Sequence, residues 1–177
     1  MREYFDKELT QLNDSLIEMG GLVEQAIKNT MKMIVDGEDL LDIAREHENR
    51  INEAEKSIQS RCLHLLLHQA PVAHDLRYVS AALKMITDLE RIGDQAVDIA
   101  EMSVYIKDKK QVFNLTHILE MADNASKMVT EAIDAFVKSD IEVAKKAATL
   151  TAWSAILSRY FAIITISRAS EPSSLFL

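Results

Sequence analysis

Hydrophobic residues recur at intervals of three and four along the first hundred residues, which is the period of an amphipathic helix. The apolar positions of the first such stretch are Phe5, Leu9, Leu12, Leu16, Met19, Val23, Ala26, Ile27 and Ile34. Asp36 and Gly37 follow this stretch, and a glycine at that place is a helix stop signal. The spacing therefore predicts a first helix from near Glu3 to about Val35.

The second amphipathic stretch predicts a helix from about Glu38 to Gln69, which ends before Pro71. The positions predicted to face inward are Ile43, Ile51, Ile58, Cys62, Leu65 and Leu66. Cys62 is the only cysteine, so no intramolecular disulfide can form. Its apolar neighbours at helical spacing indicate a small buried side chain.

The third stretch predicts a helix from about Val72 to Ile106, after which the polar residues 107–111 break the pattern. Three helices, each about 48 Å long and joined by short turns, predict an antiparallel three-helix bundle over residues 1–108. Only four glycines and two prolines occur in 177 residues, which agrees with long helices. The chain is therefore predicted to be all-α.

Residues 112–177 are predicted to form a partial second helical repeat. A shift of 102 residues places apolar positions of the segment from Met121 to Val137 on apolar positions of the first helix. Helix four is predicted from Leu115 to Lys138, and helix five is predicted to begin at Asp140. From about residue 151 the repeat is divergent, because residues 151–177 contain one acid, two arginines and eight serines and threonines.

An incomplete second bundle is expected to leave an apolar stripe exposed on helix four. The stripe contains Met128, Ile133 and Phe136. Either a second subunit or residues 151–177 would have to cover it. We prefer a homodimer on this ground.

The formal charge of −8 argues against a general affinity for nucleic acid or for an anionic membrane, because both would repel the chain. The most apolar window, Ala152 to Ile166, is interrupted by Arg159 and is shorter than the roughly 20 residues that cross a bilayer. No membrane span is therefore expected. The first residues contain no apolar run of signal-peptide length, so a cytoplasmic location is expected.

Four acids lie on one face of the third helix, at Glu90, Asp94, Asp98 and Glu101. No lysine or arginine lies four residues from any of them, and each like-charge pair costs a few tenths of a kcal/mol. Gly93 within this run suggests that a neighbouring backbone or a bulky ligand approaches closely. Two interpretations stay open: a solvated acidic face, or a binding face for a hard or borderline cation.

Residues 3–105 resemble the PhoU family of phosphate-uptake regulators, and the resemblance is looser to about residue 150. It rests on sequence elements in a fixed order, namely Phe5 with Glu8-Leu9 and Leu12, Met19-Gly20, Glu55, Cys62-Leu63, Pro71-Val72-Ala73, Asp75-Leu76-Arg77, Asp88-Leu89-Glu90-Arg91-Ile92-Gly93-Asp94 and Ile99-Ala100-Glu101. The resemblance implies two three-helix bundles.

The resemblance also implies that paired acid-x-x-x-acid motifs bind metal ions, often iron or zinc. The motif on the third helix is intact as Glu90 and Asp94, and its partner on the second helix is similar to Glu48 and Asn52. An acid would normally occupy the position of Asn52, and Asp98 is a candidate to supply the missing charge. These five residues are the predicted metal ligands. The corresponding element of the second bundle is absent.

By the same resemblance, the chain is expected to be a non-enzymatic cytoplasmic regulator. Such proteins link the phosphate ABC transporter to a sensor histidine kinase and repress the phosphate-starvation response. They also tend to self-associate. A carboxylate-bridged di-metal oxidase is the first alternative, although the chain lacks the Glu-x-x-His pairs of that class. A metal-free helical interaction module is the second.

Overall fold

The computed structural model describes residues 2–68, 73–105 and 115–150 of the 177-residue chain. In these ranges it contains helices and no strand, which confirms the all-α prediction. The helices are α1 (Arg2–Val35), α2 (Leu41–His68), α3 (Ala73–Ser103), α4 (Leu115–Lys138) and α5 (Ile141–Leu150). No helix among the described residues has both the length and the hydrophobicity that crossing a membrane requires.

The first three helices share a large hydrophobic core and a smaller cluster formed by Met33, Ala44, Val97 and Ala100. Their most deeply buried large side chains are Leu12, Leu16, Met19, Val23, Ile34, Ile51, Ile58, Leu65, Val79 and Ile86. Cys62 is also buried, as predicted. Ile43 was predicted to face inward, but this prediction is wrong, because its side chain is 43% exposed. Ala44 and His47 instead take the buried positions in the first turns of α2.

The turn between α1 and α2 also differs from the prediction. Gly37 has a φ of 75°, a left-handed conformation that favours glycine and ends α1. The second helix begins at Leu41 and not at Glu38, and the carbonyl of Leu40 accepts the first helical hydrogen bond, from the amide of Ala44. The predicted boundaries at Gln69, Val72 and Ile106 lie outside the described residues.

Helix α4 packs against α1 and joins the core of the first three helices. Ile133 is 4% exposed and lies over Gly20, where the absence of a side chain lets the two helices approach. Phe136 stacks on Tyr78 of α3, with ring centroids 4.3 Å apart. The expectation of an exposed stripe was therefore wrong for Ile133 and Phe136, because α1 and α3 cover them; Met128 is half-buried.

The end of α4 is fixed by local hydrogen bonds. Ser139 has a φ of 53°, and its amide donates to the carbonyl of Phe136 while the amide of Asp140 donates to the carbonyl of Ala135. This is the Schellman pattern. The Asp140 carboxylate then accepts hydrogen bonds from the Glu142 and Val143 amides, so it is the N-cap of α5. Helix α5 begins one residue after the predicted start, and residues 151–177 lie outside the described residues.

Candidate functional site

The two acid-bearing helices meet closely at Gly93. A Cβ atom built on Gly93 would lie 2.7 Å from Cδ1 of Ile51 and 3.3 Å from its Cγ2. The sequence predicted that a neighbouring backbone or a bulky ligand approaches this glycine; the close approach is confirmed, but the approaching group is the buried side chain of Ile51. The contact fixes α2 against α3 with Asn52 and Asp94 as the next residues along each helix.

Glu48 lies among the carboxylates of α3. Burial raises the pKa of Glu48 above its ordinary value, and the negative charge of Asp94 adds to the shift. Glu101 and Asp98 act in the same direction, whereas Arg45 opposes them. The fold thus brings the second-helix residue Glu48 together with three of the acids that the sequence placed on one face of α3.

A second group of carboxylates, Glu55 on α2 and Glu90 on α3, lies one to two helical turns from Glu48 and Asp94. Burial raises the pKa of Glu90, and the charges of Asp94 and Glu55 raise it further. Glu55 was not among the predicted ligands. Its position seven residues after Glu48 is two helical turns, so helical spacing alone indicates that both lie on the same side of α2. We call Glu48, Asn52, Glu55, Glu90, Asp94, Asp98 and Glu101 the acidic face.

Two oxygen atoms at the centre of the acidic face are buried, and neither has a hydrogen-bond partner in the part of the chain that the structure describes. They are Oδ1 of Asn52 on α2 and Oδ1 of Asp94 on α3. A buried acceptor without a donor costs about 1–3 kcal/mol. These two oxygens are therefore the positions of the acidic face where a bound cation would bring the largest gain.

One ion pair reduces the charge at the end of the acidic face. The Arg45 guanidinium donates hydrogen bonds of 3.0 and 2.8 Å to Oε1 of Glu101. No lysine or arginine of α3 lies four residues from Glu101, and Arg45 comes instead from α2. Glu101 is thereby occupied by an arginine, which leaves Glu48, Asp94 and Asp98 without this neutralisation.

The predicted ligands are brought to one surface, but they do not form a compact ligand set. No three histidine, cysteine, aspartate or glutamate side chains in the described ranges converge closely enough to hold a metal ion. Asn52 lies between the acids where a third carboxylate would be required, and Asp98 is exposed. Metal binding at this surface would thus require rotation of partly exposed carboxylates such as Glu90.

His47 is a buried group next to this surface that the sequence analysis did not select. It is 8% exposed, and its Nδ1 has no hydrogen-bond partner among the described residues. Burial lowers the pKa of His47 below its ordinary value, and the charge of Arg50 acts in the same direction. Its position four residues before Ile51 is the signal that could have placed it in the core.

Comparison with known proteins identifies this arrangement of helices. The sequence pattern of the PhoU domain matches residues 16–103, from within α1 to the end of α3. This chain belongs to the PhoU family. The acidic face lies entirely inside the matched PhoU domain, which agrees with the resemblance found in the sequence.

Individual PhoU proteins are similar over most of this chain. The phosphate-specific transport system accessory protein PhoU homolog of Pseudomonas aeruginosa is 31% identical over 144 residues, which is 80% of this chain and 60% of that protein. The homolog of Clostridium acetobutylicum is 30% identical over 145 residues, 81% of this chain and 66% of that protein. The chain thus spans about 60% of the length of the PhoU proteins it matches.

A solved structure gives the same result for the fold. The crystal structure of PhoU from Pseudomonas aeruginosa matches with a TM-score of 0.78 and 28% sequence identity. The match covers 94% of this chain and 81% of that chain. The described helices of this chain therefore have the same fold as that PhoU protein.

Proposed function

We propose that this chain is a non-enzymatic, cytoplasmic PhoU-type regulator that represses the phosphate-starvation response. The observation that carries the proposal is the match of the PhoU domain to the α1–α3 bundle that holds the acidic face. Relatives at 30–31% identity are named accessory proteins of the phosphate-specific transport system. By this similarity, the proposed partners are the phosphate ABC transporter and a sensor histidine kinase, and the proposed assembly is a homodimer.

We further propose that the acidic face binds metal ions such as iron or zinc. The support is the pair of buried, unpartnered oxygens of Asn52 and Asp94, with Glu48, Glu90 and Asp98 around them. Oxygen donors of this kind suit hard or borderline cations. A bound cation would offset the repulsion that raises the pKa values of Glu48 and Glu90.

The regulatory role can be tested by deleting the gene and following a reporter of phosphate-starvation genes in phosphate-rich medium. Constitutive reporter expression, reversed by the full chain supplied in trans, is the expected result. A reporter that stays silent in the deletion strain would contradict the regulatory proposal.

The metal proposal needs a separate measurement on protein purified without a histidine tag. The double variant Glu90→Gln with Asp94→Asn should lose bound transition metal by elemental analysis and remain folded. The matched control is Glu53→Gln with Asp88→Asn, which removes the same charge at exposed positions outside the acidic face. Equal metal content in all three proteins would contradict the metal proposal and favour the metal-free interaction module. This outcome does not depend on the result of the reporter experiment, which tests the regulatory role alone.

A further inference from the structure

The hairpin of α2 and α3 has opposite charge at its two ends. Residues 42–55 and 88–101 contain ten acidic residues and three arginines, a formal charge of −7. Residues 56–67 and 74–87, toward the turn, contain four cationic residues and one acid, a formal charge of +3. The one acid, Asp75, is buried. On these two helices the turn end is therefore positively charged in a chain of charge −8, and one of its four cations, Arg61, is paired with Glu8 of α1 at 3.0 Å.

Three exposed leucines lie in this positive region. Leu63 is 47% exposed, Leu67 is 78% exposed and Leu76 is 47% exposed. We call these residues the leucine patch. Single exposed leucines are ordinary, but a contiguous group of them on a monomer commonly marks an interaction site.

Helical spacing puts the leucine patch on the same outer surface as the acidic face. Leu63 follows Asn52 by eleven residues, which is about three turns, and Leu76 precedes Asp94 by eighteen residues, which is about five turns. The contact of Ile51 with Gly93 sets the register of the two antiparallel helices. Leu67 lies sixteen residues after Ile51 on α2, and Arg77 lies sixteen residues before Gly93 on α3, so the two residues are at the same level of the hairpin. Leu76 is next to Arg77 in the chain.

The charges around the leucine patch determine what kind of partner fits it. Lys84 lies 3.8 Å from Asp88, whereas Arg77 has no ion-pair partner among the described residues. Burial of the leucines requires apolar side chains on the partner, and the free guanidinium favours carboxylates beside them. An amphipathic helix carries both within a width of about 10–12 Å.

Other candidate occupants of the leucine patch fit it less well. Residues 151–177 bring two arginines and one acid, so they do not complement a positive region. In a second copy, the exposed large apolar residues near the acidic end of the hairpin are Ile43 at the start of α2 and Val104 and Tyr105 just after α3, so they lie at helix ends and do not form a stripe along one helix. Pairing of two leucine patches would bring like charges together. An anionic membrane is flat and would also meet the carboxylates of the acidic face on the same surface.

We propose that the leucine patch is the docking site for an amphipathic helix of another protein, one whose apolar side chains are flanked by aspartate and glutamate. This inference depends on the leucines and Arg77, and it is independent of metal binding at the acidic face. Docking leaves the acidic face uncovered because that face lies at the opposite end of the hairpin.

The test uses the full chain in the presence of chelator and a fluorescent helical peptide of roughly 18 residues. The peptide carries leucines at spacings of three and four and glutamates on its other face. A second peptide has lysine in place of every glutamate. By fluorescence anisotropy at low salt, the glutamate peptide should bind at least about tenfold more tightly than the lysine peptide.

The double variant Leu67→Gln with Leu76→Gln should weaken binding of the glutamate peptide about tenfold or more. The matched control is Ile141→Gln, a substitution of an exposed apolar residue on α5, which should change binding by less than about twofold. Arg77→Gln should weaken binding and reduce its salt dependence. Circular dichroism melting checks that all variants are folded.

Four results would overturn the proposal. Equal binding of the glutamate and lysine peptides would show that charge does not select the partner. An unchanged affinity in the double variant would place binding elsewhere. If the chain sediments with phosphatidylglycerol vesicles but does not bind the glutamate peptide, the leucine patch is a membrane contact. Loss of a dimer in the double variant, without peptide binding by the parent, would make a second copy the occupant.

Discussion

Gly93 of α3 lies directly against Ile51 of α2, and a Cβ atom on the glycine would come within 2.7 Å of the isoleucine Cδ1. Ile51 is fully buried, so its side chain has little room to move away. This single contact sets the distance between the two helices that carry the acidic face. The glycine therefore has a packing role at the same place where the charged residues gather.

Gly93→Ala is expected to destabilise the protein by about 1 kcal/mol. The overpacking cost of roughly 1–3 kcal/mol exceeds the gain in helix propensity of roughly 0.5–1 kcal/mol. In an Ile51→Val background, which lacks the nearest methyl group, the same substitution should become neutral or stabilising. Urea unfolding of the four proteins measures this as a double-mutant cycle. Destabilisation of equal size in both backgrounds would contradict the role given to Ile51.

The adjacent glycines of α1 are expected to respond in opposite directions. A Cβ on Gly20 would collide with Cδ1 of Ile133 on α4, whereas a Cβ on Gly21 would meet no atom within 4 Å. Gly20→Ala should therefore destabilise the chain by up to roughly 2 kcal/mol, because the overpacking cost of roughly 1–3 kcal/mol is partly offset by a gain in helix propensity of roughly 0.5–1 kcal/mol. Gly21→Ala should stabilise it by roughly 0.5–1 kcal/mol, since it gains only helix propensity.

Hydrogen exchange gives a second measurement of the same contact. In Gly20→Ala the amides of α4 should lose protection more than those of α2, because the contact of α4 with α1 is what changes. Stabilisation by both alanine substitutions would show that α4 does not pack at Gly20.

Sequence periodicity predicted the helices well because it depends on local spacing. The first helix and helix four were predicted to end at Val35 and Lys138, which are the observed ends. The start of α2 was three residues in error, because the turn after Gly37 is longer than a stop signal can indicate. The incorrect inward position of Ile43 has a different cause: it precedes Ile51 by eight residues, which turns it about 80° away around the helix, whereas the buried Ala44 precedes Ile51 by seven.

Contacts between helices were beyond what spacing could determine. The acids of α3 were correctly placed on one side of that helix, but their pairing with Arg45 depends on the register between α2 and α3. Likewise, the apolar face of α4 was visible in the sequence, whereas its cover by Gly20 and Tyr78 was not. The homodimer remains a proposal that no longer has an exposed α4 stripe as its reason.

Cys62 is expected to be unreactive in the folded protein. Burial raises the pKa of its thiol to about 11 from a model-peptide value of 9.0, so at pH 8 the thiolate fraction falls about 100-fold. A chromogenic disulfide reagent at pH 8 should therefore modify the native chain at least about 100 times more slowly than the urea-unfolded chain. Because Cys62 is the only cysteine, the signal has one source. Comparable rates in the two states would show that Cys62 is accessible.

The acidic face should make the metal-free protein less stable as the pH rises. The pKa values of Glu48 and Glu90 are raised in the folded state, so the folded chain holds these protons at a pH where the unfolded chain has lost them. Stability should therefore fall as the pH increases from the unfolded pKa, about 4.5, through the higher folded pKa. His47 has the opposite sign, because its lowered pKa makes stability increase as the pH approaches 6.5.

The contribution of Glu48 and Glu90 can be isolated by comparing the parent with Glu48→Gln and Glu90→Gln in chelator. Both variants keep His47, so the difference in unfolding free energy between variant and parent cancels its effect. This difference should increase in favour of each variant between about pH 4.5 and neutrality. Added metal should reverse the trend in the parent, since cation binding requires the deprotonated carboxylates and becomes tighter as the pH rises. A difference that is constant with pH would mean that neither carboxylate is perturbed by folding, and the acidic face would then be an ordinary solvated surface.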